Sequence, residues 1–514
     1  MKYDTILILD FGGQYCHLIG RRVREQGVYS EIVPHDITFA EIKALDKKFT
    51  VKGLILSGGP DSVYARDAPR CDPTILESKL PILGLCYGHQ LIAHLAGGKV
   101  EPASHREYGT ATAIIEHRIG VLKDLGKKER VWMSHGDTVF TLPQGYKALA
   151  HSENTPIAAF GNEPKKIYGL QWHPEVAHTE HGTQMLRNFL FEVSNCEPNW
   201  QMEDFIKKAV KEIKHAVRTG KAVVALSGGI DSSTATALTA QALGKNLTAV
   251  FVDHGFMRES EPEFVERTFG NMGISFVSIN AAGQFLQKLK GVSDPEEKRR
   301  IIGREFVRVF EAQAKKVGAK YLIQGTIYPD RIESGLRKFS EKIKTHHNVA
   351  GLPTRMEFKD IVEPLRDLYK DEVRKLAENL ELPKEIVRRQ PFPGPGLAVR
   401  TMGEVTKEKI GILRQADKIV TDEIETAGLK DKLWQYFAVL TDTKSTGVKG
   451  DARAYGYSIV IRAVESREAM TASFAEIPYD VLERISTRIT NEISQIVRVV
   501  YDVTHKPPAT IEWE

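Results

Sequence analysis

Three short stretches carry side chains whose types and spacing could do chemistry. The first is Ser227-Gly228-Gly229-Ile230-Asp231-Ser232-Ser233, directly after the apolar run 223–226. Its small residues let main-chain N–H groups approach a ligand closely. The helix opening after the glycines points its positive end at the same spot, so the stretch suits an anion. The hydroxyls of Ser227, Ser232 and Ser233 add donors. Asp231 is the odd member, because a carboxylate beside an anion is repulsive unless a cation lies between them. That leaves two roles for it, a Mg²⁺ ligand or a helix N-cap. The second stretch, Gly84-Leu85-Cys86-Tyr87-Gly88-His89-Gln90, turns an apolar strand into a helix through Gly-x-Cys-x-Gly. This is the elbow that presents a nucleophile, with sulfur in place of oxygen, and the helix N-terminus favours the thiolate. The third is Gln171-Trp172-His173-Pro174-Glu175. Here His173 can take and return a proton while Glu175 orients the imidazole and steadies its charge. Pro174 stops the strand, so both side chains can turn to one side. His135 is a second candidate base, ranked lower because it has no carboxylate at this spacing.

The elements around these residues must end in the right places. Residues 5–9, 29–33, 51–56, 80–83 and 167–170 read as buried strands alternating with helical stretches, which argues a parallel sheet covered on both faces. Active groups in such sheets lie at the carboxyl ends of the strands. A helix over 205–218 and strands at 223–226, 247–252, 275–279 and 321–324 repeat the pattern, and put Val252 and Asp253 at the carboxyl end of a strand, where ligands are held. Beyond the Pro- and Gly-rich loop 391–397 come helices over 408–426, strands near 435–440 and 457–463, and a long amphipathic helix expected over 479–499. The expected fold class is therefore α/β and multidomain: two open, mostly parallel sheets covered by helices, plus a smaller α+β C-terminal domain. The expected domains are 1–195, 197–389 and 390–514, with 195–200 as a linker. Residues 331–353 read as a polar lid carrying Lys344 towards phosphates. The pair His346-His347 argues against zinc, since neighbours on a strand face opposite ways and no third ligand is evident. The end of the chain, Lys506-Pro507-Pro508-Ala509-Thr510-Ile511-Glu512-Trp513-Glu514, is too stiff and too apolar for a loose tail. It is expected to fold back into a site or an interface.

A chain of 514 residues exceeds one core. The formal net charge is only +4, with both signs interspersed, so no nucleic-acid stripe stands out. The four cysteines, Cys16, Cys71, Cys86 and Cys196, are far apart and include no C-x-x-C. A disulfide framework is thus not expected, which suits a reducing cytoplasm. The first ten residues read as a strand rather than a secretory signal, and no apolar run approaches the ~18–20 residues of a membrane span.

The anion turn resembles the PP-loop, S-G-G-x-D-S, of ATP pyrophosphatases, which cut ATP between its α and β phosphates. It is not a Walker A loop, since no Lys follows the glycines. Gly58-Gly59-Pro60, Gly-Leu-Cys-Tyr-Gly-His-Gln and Gln-Trp-His-Pro-Glu resemble the triad-type (class I) glutamine amidotransferases. Taken whole, the chain is similar to the glutamine-hydrolysing GMP synthetases. The likeness extends to Ile343-Lys344-Thr345-His346-His347-Asn348-Val349, Pro391-Phe392-Pro393-Gly394-Pro395-Gly396-Leu397, Asp451-Ala452-Arg453-Ala454-Tyr455-Gly456 and the terminal segment. Two departures, Ile230 for the usual Val and Glu333-Ser-Gly for Glu-Ser-Ala, remove no reacting group.

The resemblance implies catalysis by Cys86, His173 and Glu175. It implies an oxyanion met by main-chain N–H groups near Gly59 and Tyr87, and glutamine held by Gln90 and the 134–137 loop. ATP would lie against Ser227, Gly228, Gly229, Ile230, Asp231, Ser232, Ser233, Val252 and Lys344, with Mg²⁺ on Asp231. XMP would lie against Arg299, Gln390, Lys506, Ile511 and Glu512. ATP would serve as co-substrate, the C-terminal domain would pair two subunits, and no nucleic acid or membrane would be bound. The competing readings are another PP-loop amidotransferase, such as an NAD or asparagine synthetase, and a nucleotide-sensing protein with a dead amidotransferase domain. Lys2 argues against an amino-terminal cysteine nucleophile, and the intact Cys86, His173 and Glu175 argue against a dead domain.

Overall fold

The computed structural model of the chain describes residues 2–336, 358–466 and 471–514. Two compact units emerge, Met1–Phe205 and Ile206–Glu514, and the division falls inside the helix Met202–Val217. Among the described residues no helix is long and apolar enough to cross a membrane.

The first unit is built on nine strands: β1 (Asp4–Asp10), β2 (Tyr29–Pro34), β3 (Thr50–Leu56), β4 (Ile82–Leu85), β5 (Lys99–Ile115), β6 (Lys128–Thr141), β7 (Lys147–His151), β8 (Ala159–Asn162) and β9 (Ile167–Leu170). They form one sheet in the order β2-β1-β3-β4-β9-β8-β7-β5-β6. The half from β2 to β9 is parallel, and every pairing from β9 onward to β6 is antiparallel. The parallel half reads as continuous apolar runs because both of its faces are covered. Ile6, Leu7, Ile8, Leu9, Leu54, Ile55 and Leu56 are fully buried.

The second unit holds β10 (Ala222–Leu226), β11 (Leu247–Asp253), β12 (Ser275–Asn280), β13 (Tyr321–Ile323) and β14 (Asp360–Val362), all parallel, in the order β12-β11-β10-β13-β14. The order reverses between β10 and β13. In open α/β sheets a crevice opens at that switch point, and the 227–233 turn follows β10 into it. A third sheet comprises β15 (Gln435–Lys449), β16 (Ala452–Glu465), β17 (Ser473–Phe474) and β18 (Ile496–Tyr501); β15 and β17 run antiparallel to β16, and β18 runs parallel to it. One hydrophobic cluster runs from Val223 and Val250 through Leu397 and Leu413 to Ile461 and Ile489, so the residues on either side of 390 share a core.

Two expectations need correction. The helix expected over 479–499 ends at Glu492, and Ile496–Tyr501 is a strand. The sequence Ile-Val-Arg-Val-Val is β-branched at four of five positions and costs χ1 freedom in a helix, while it suits a strand beside β16. The stretch 195–200 is not slack either. The Glu197 N–H donates to Asp4 (2.9 Å), the Asp4 N–H donates to Asn199 (3.0 Å), and buried Trp200 meets Tyr3 edge-on at 4.8 Å. The terminal segment does fold back: Arg462 donates to the carbonyls of Thr504 (2.6 Å) and Thr510 (3.0 Å), and Ile511 is buried beside Val464.

Trp200 also packs on Tyr29 and Phe205. Trp200→Ala is therefore expected to cost the first unit about 3–5 kcal/mol, read as a lower urea midpoint for that unit.

Candidate active sites

At the first site the chain passes from β4 to the helix Tyr87–Leu95 with Cys86 between them. Cys86 has φ +51° and ψ −104°, a left-handed conformation that a side chain rarely adopts. The turn is that sharp because the helix starts almost against the neighbouring strand. A Cβ on Gly88 would lie 2.3 Å from the Leu56 carbonyl oxygen, and one on Gly84 would lie 2.5 Å from Gly88. The strain is held by two main-chain bonds, from Cys86 to Leu170 (2.8 Å) and from Gly88 to Ser57 (3.1 Å).

His173 and Glu175 follow β9, the strand beside β4, and their side chains do turn to one side. His173 Nδ1 is 2.7 Å from Glu175 Oε1, with both groups buried. Burial alone would pull the imidazole down, but the Glu175 charge and the Cys86 sulfur outweigh it and hold His173 well above its ordinary value. The edge of Tyr15 packs on the ring at 5.1 Å, and Arg22 donates to the Glu175 carbonyl at 3.0 Å. Gly58 fits beside the pair because a Cβ there would sit 3.2 Å from His173 Cε1. His89 plays no comparable part: it is fully buried against Phe160, and burial drives its imidazole down to about 3.

The other expected residues surround the sulfur. The N–H groups of Gly59 and Tyr87 find no acceptor among the described residues. Gln90 donates to the Asp137 carbonyl (2.8 Å) and to Gln171 Oε1 (3.1 Å). Gln171 in turn points Nε2 at the Cys86 sulfur (3.8 Å), and the Ser134 carbonyl lies 3.5 Å from it. Gln171 was missed, although it stands in the same Gln-Trp-His-Pro-Glu run. His135 has a carboxylate after all, Glu107, from a strand 28 residues earlier.

At the second site Gly228 has φ +74°, and a Cβ there would lie 2.8 Å from Val265. Ser227 and Ser232 link their hydroxyls at 3.0 Å across the turn, and Ser232 also donates to the Gly229 carbonyl at 3.1 Å. The helix Ile230–Leu243 begins directly after Gly229. Asp231 is not its N-cap, since Gly229 is. Asp231 Oδ2 accepts from Lys370 at 2.5 Å, while Oδ1 is buried without a hydrogen-bond partner among the described residues. Ser233 is fully buried, its hydroxyl also without a partner among the described residues. Gly325, after β13, packs on the backbone of Asp231 and Ser232. Val252 turns its side chain into the hydrophobic core. Lys344 lies outside the described residues.

No cluster of three metal-ligating side chains occurs among the described residues. One carboxylate with an open, buried oxygen fits a Mg²⁺ that takes most of its ligands from phosphate and water, which is how that ion usually binds.

Two residues remote in sequence close this turn. Lys370 opens the helix Lys370–Asn379 and supplies the cation that the turn itself lacks. Arg389 donates to the Gly228 carbonyl (2.7 Å) and pairs with Glu261. Burial and the nearby Arg258 bring Arg389 down to about 10.

The terminal residues collect around a buried charge cluster. Glu512 takes a bidentate pair from Arg400 (3.0 and 2.9 Å) and a bond from Gln435 (2.5 Å). Burial pushes Glu512 up, but Arg400 wins and holds it below the ordinary carboxylate value. Gln390 accepts from the Tyr436 N–H (2.8 Å), and Gln435 donates to the Pro391 carbonyl (3.1 Å). Arg299 donates to the main-chain carbonyl of Glu514, whose side chain pairs with Lys298 at 2.7 Å. Lys506 pairs its main chain with Ala472.

A cysteine elbow with a His–Glu pair in one unit and a PP-loop in the next define a class I glutamine amidotransferase joined to an ATP-using PP-loop enzyme. Models of three families match accordingly: Glutamine amidotransferase class-I over residues 7–193, PP-loop domain over 200–383, and GMP synthase C terminal domain over 422–513. The GMP synthase [glutamine-hydrolyzing] of Caldicellulosiruptor saccharolyticus is 52% identical over 516 residues, covering 100% of both chains. That of Geobacillus kaustophilus is likewise 52% identical over 100% of both, and that of Symbiobacterium thermophilum 53% over 99% of both. The chain belongs to the glutamine-hydrolysing GMP synthase family.

Because the folded value of His173 is raised, its contribution to stability is fully present below an unfolded value of about 6.5 and is lost as pH rises through the folded one. Glu175→Gln is expected to move the His173 titration midpoint down, because the largest cause that raises it is removed, followed by NMR of ¹⁵N-labelled imidazole.

Proposed function

We propose that the protein aminates XMP to GMP with nitrogen taken from glutamine: XMP, ATP, glutamine and water give GMP, AMP, pyrophosphate and glutamate. The observation that carries this reading is the pairing, in one chain, of a strained cysteine elbow backed by His173–Glu175 with a PP-loop at a sheet switch point.

At the first site Cys86 attacks the side-chain amide of glutamine. His173 takes the thiol proton and returns it to the departing ammonia, and Glu175 holds the ring and its positive charge. The open N–H groups of Gly59 and Tyr87 receive the oxyanion, where aligned donors count most. Gln90 and residues 134–137 hold the substrate. Water then releases glutamate from the thioester.

At the second site the 227–233 turn grips the triphosphate with main-chain N–H groups and hydroxyls. Lys370 lies close enough to Asp231 to swing onto a phosphate oxygen. Asp231 would hold Mg²⁺, which supplies charge neutralisation to the triphosphate when bound. The purine C2 oxygen takes the adenylyl group, turning a poor leaving group into AMP, and ammonia displaces it. Arg299, Gln390, Lys506, Ile511 and Glu512 would face XMP, with Lys506 and Arg299 suited to its phosphate. Lys344 would act from a lid. Since ammonia is mostly protonated in neutral water, it must pass between the sites without equilibrating with bulk solvent. The reading divides the work among residues 1–195, 197–389 and 390–514, the last pairing two subunits, in the cytoplasm.

An assay of XMP amination, fed first with glutamine and then with ammonium, tests the whole. Formation of ADP instead of AMP and pyrophosphate would sink it. Cys86→Ala is expected to abolish glutamine-fed synthesis and leave ammonium-fed synthesis running; loss of both would break the assignment of nitrogen release to the first unit. Asp231→Asn is expected to abolish pyrophosphate release with either nitrogen source, and normal turnover would remove the metal role given to it.

A further inference from the structure

Glu107 sits on β5 directly opposite His135 on β6, just past a register slip between Pro102 and Glu107. Its carboxylate is nearly buried, yet it is well supplied with donors. Ser152 Oγ lies 2.9 Å from both oxygens and Thr155 Oγ1 2.6 Å from Oε2. His135 Nε2 stands 3.3 Å away on the same side. Burial would push this carboxyl up, but His135 and the two hydroxyls bring it down to about 2, so it is a fixed charge.

The other face of the His135 ring meets a second acceptor, the Asp137 carbonyl, 2.9 Å from Nδ1. The two ring nitrogens thus face the Asp137 carbonyl on one side and the Glu107 carboxylate on the other. The ring is thereby fixed from both sides. The Asp137 carbonyl is the one that also accepts from Gln90, and Gln90 leads through Gln171 to the Cys86 sulfur. Ser134, at the other end of the same short run, sets its carbonyl against that sulfur. Residues 134–137 are thus pinned at the nucleophile on one side and at Glu107 on the other.

We infer that Glu107 is a positioning residue for glutamine: acting through His135, it fixes the main chain of residues 134–137 against which the amide substrate is held beside Cys86. The inference rests on the reading of this site as a glutamine hydrolase. Glu107 itself stands behind His135 and does its work on substrate binding rather than on the sulfur. Its loss should therefore appear in the KM for glutamine and leave the turnover number nearly intact.

The test uses the full chain and Glu107→Gln, which keeps the shape and removes the charge. The KM for glutamine is expected to rise about tenfold while kcat changes less than about twofold. Ammonium-fed synthesis should be unchanged, and Cys86 should react with iodoacetamide at the wild-type rate, showing the elbow intact. His135→Asn should raise the same KM, and the double variant should be no worse than the worse single one, because the two act as one unit. Thr155→Val, which keeps the charge and removes one donor, should give a smaller rise of about threefold. An unchanged KM in Glu107→Gln, or additive effects in the double variant, overturns the inference. Should Glu107→Gln unfold, the Thr155→Val KM decides in its place, and a wild-type value there overturns it. A wild-type chain that hydrolyses no glutamine overturns the reading of the site instead, and so separates the two failures.

Discussion

Both turns depend on one steric constraint: a buried parallel strand must hand over to a helix within one to three residues, with the helix start pressed against a neighbouring strand or loop. There is no room for side chains at that approach. Gly88 meets the Leu56 carbonyl, Gly84 meets Gly88, and Gly325 meets the backbone of Asp231 and Ser232. Once the handover is that tight, the residue at its apex is pushed out of the ordinary backbone regions. At Cys86 the apex is a side chain under strain, and at Gly228 it is a glycine under none. The difference follows from what each turn must present. As the proposed nucleophile, Cys86 needs its side chain at the apex, and about 1–3 kcal/mol of strain is accepted to have it there. A phosphate cradle needs bare N–H groups, so glycine serves.

That constraint is also why the two sites were legible in the sequence. An apolar run ending in closely spaced glycines and followed by helix-forming residues is a local pattern, and each local preference there agrees with the fold. The same holds for His173-Pro174-Glu175, where proline fixes the turn. Legibility failed where partners are distant in the chain. Lys370 reaches Asp231 from 139 residues away, and Arg389 reaches Gly228 from 161. Glu107 meets His135 only because β5 and β6 pair in a register set after a slip. No spacing rule encodes such contacts. The misread helix has a different cause. Residues 479–492 are amphipathic at helical spacing, and the apolar pattern runs on into 496–501, but β-branching and a vacant place beside β16 decide for strand.

The charge cluster at the chain terminus shows how strongly burial is opposed in the second unit. Arg400 is fully buried, flanked by Phe392 and Phe437, and paired with Glu512; Arg258 stands 3.0 Å from Asp417 and over the same Phe392 ring. Isolated, any of these charges would be costly to bury; here each has an opposite charge beside it. Replacing one member leaves its partner buried and unpaired, which costs more than the pair was worth. The terminal segment is therefore held as part of the core and not as an appendage, consistent with the carbonyls that Arg462 captures along it.

Among the described residues, Glu175 Oε2 in the first unit and Asp231 Oδ1 in the second are buried carboxylate oxygens without a hydrogen-bond partner. Such an orphan costs about 1–3 kcal/mol, and buried polar groups are otherwise almost always satisfied. The two orphans have opposite logic. At Glu175 the other oxygen already faces His173, and any donor on Oε2 would draw negative charge away from the imidazole it supports. Leaving it bare keeps that charge where the histidine needs it. At Asp231 the partnered oxygen is held by Lys370, and among the described residues the other oxygen is left open to a donor or a cation. A cation arriving with a polyphosphate would complete that oxygen and free the lysine for the phosphates in the same event. On the proposed reading, the first orphan would belong to an acid–base pair, and the second would be completed by a cation that comes with the substrate.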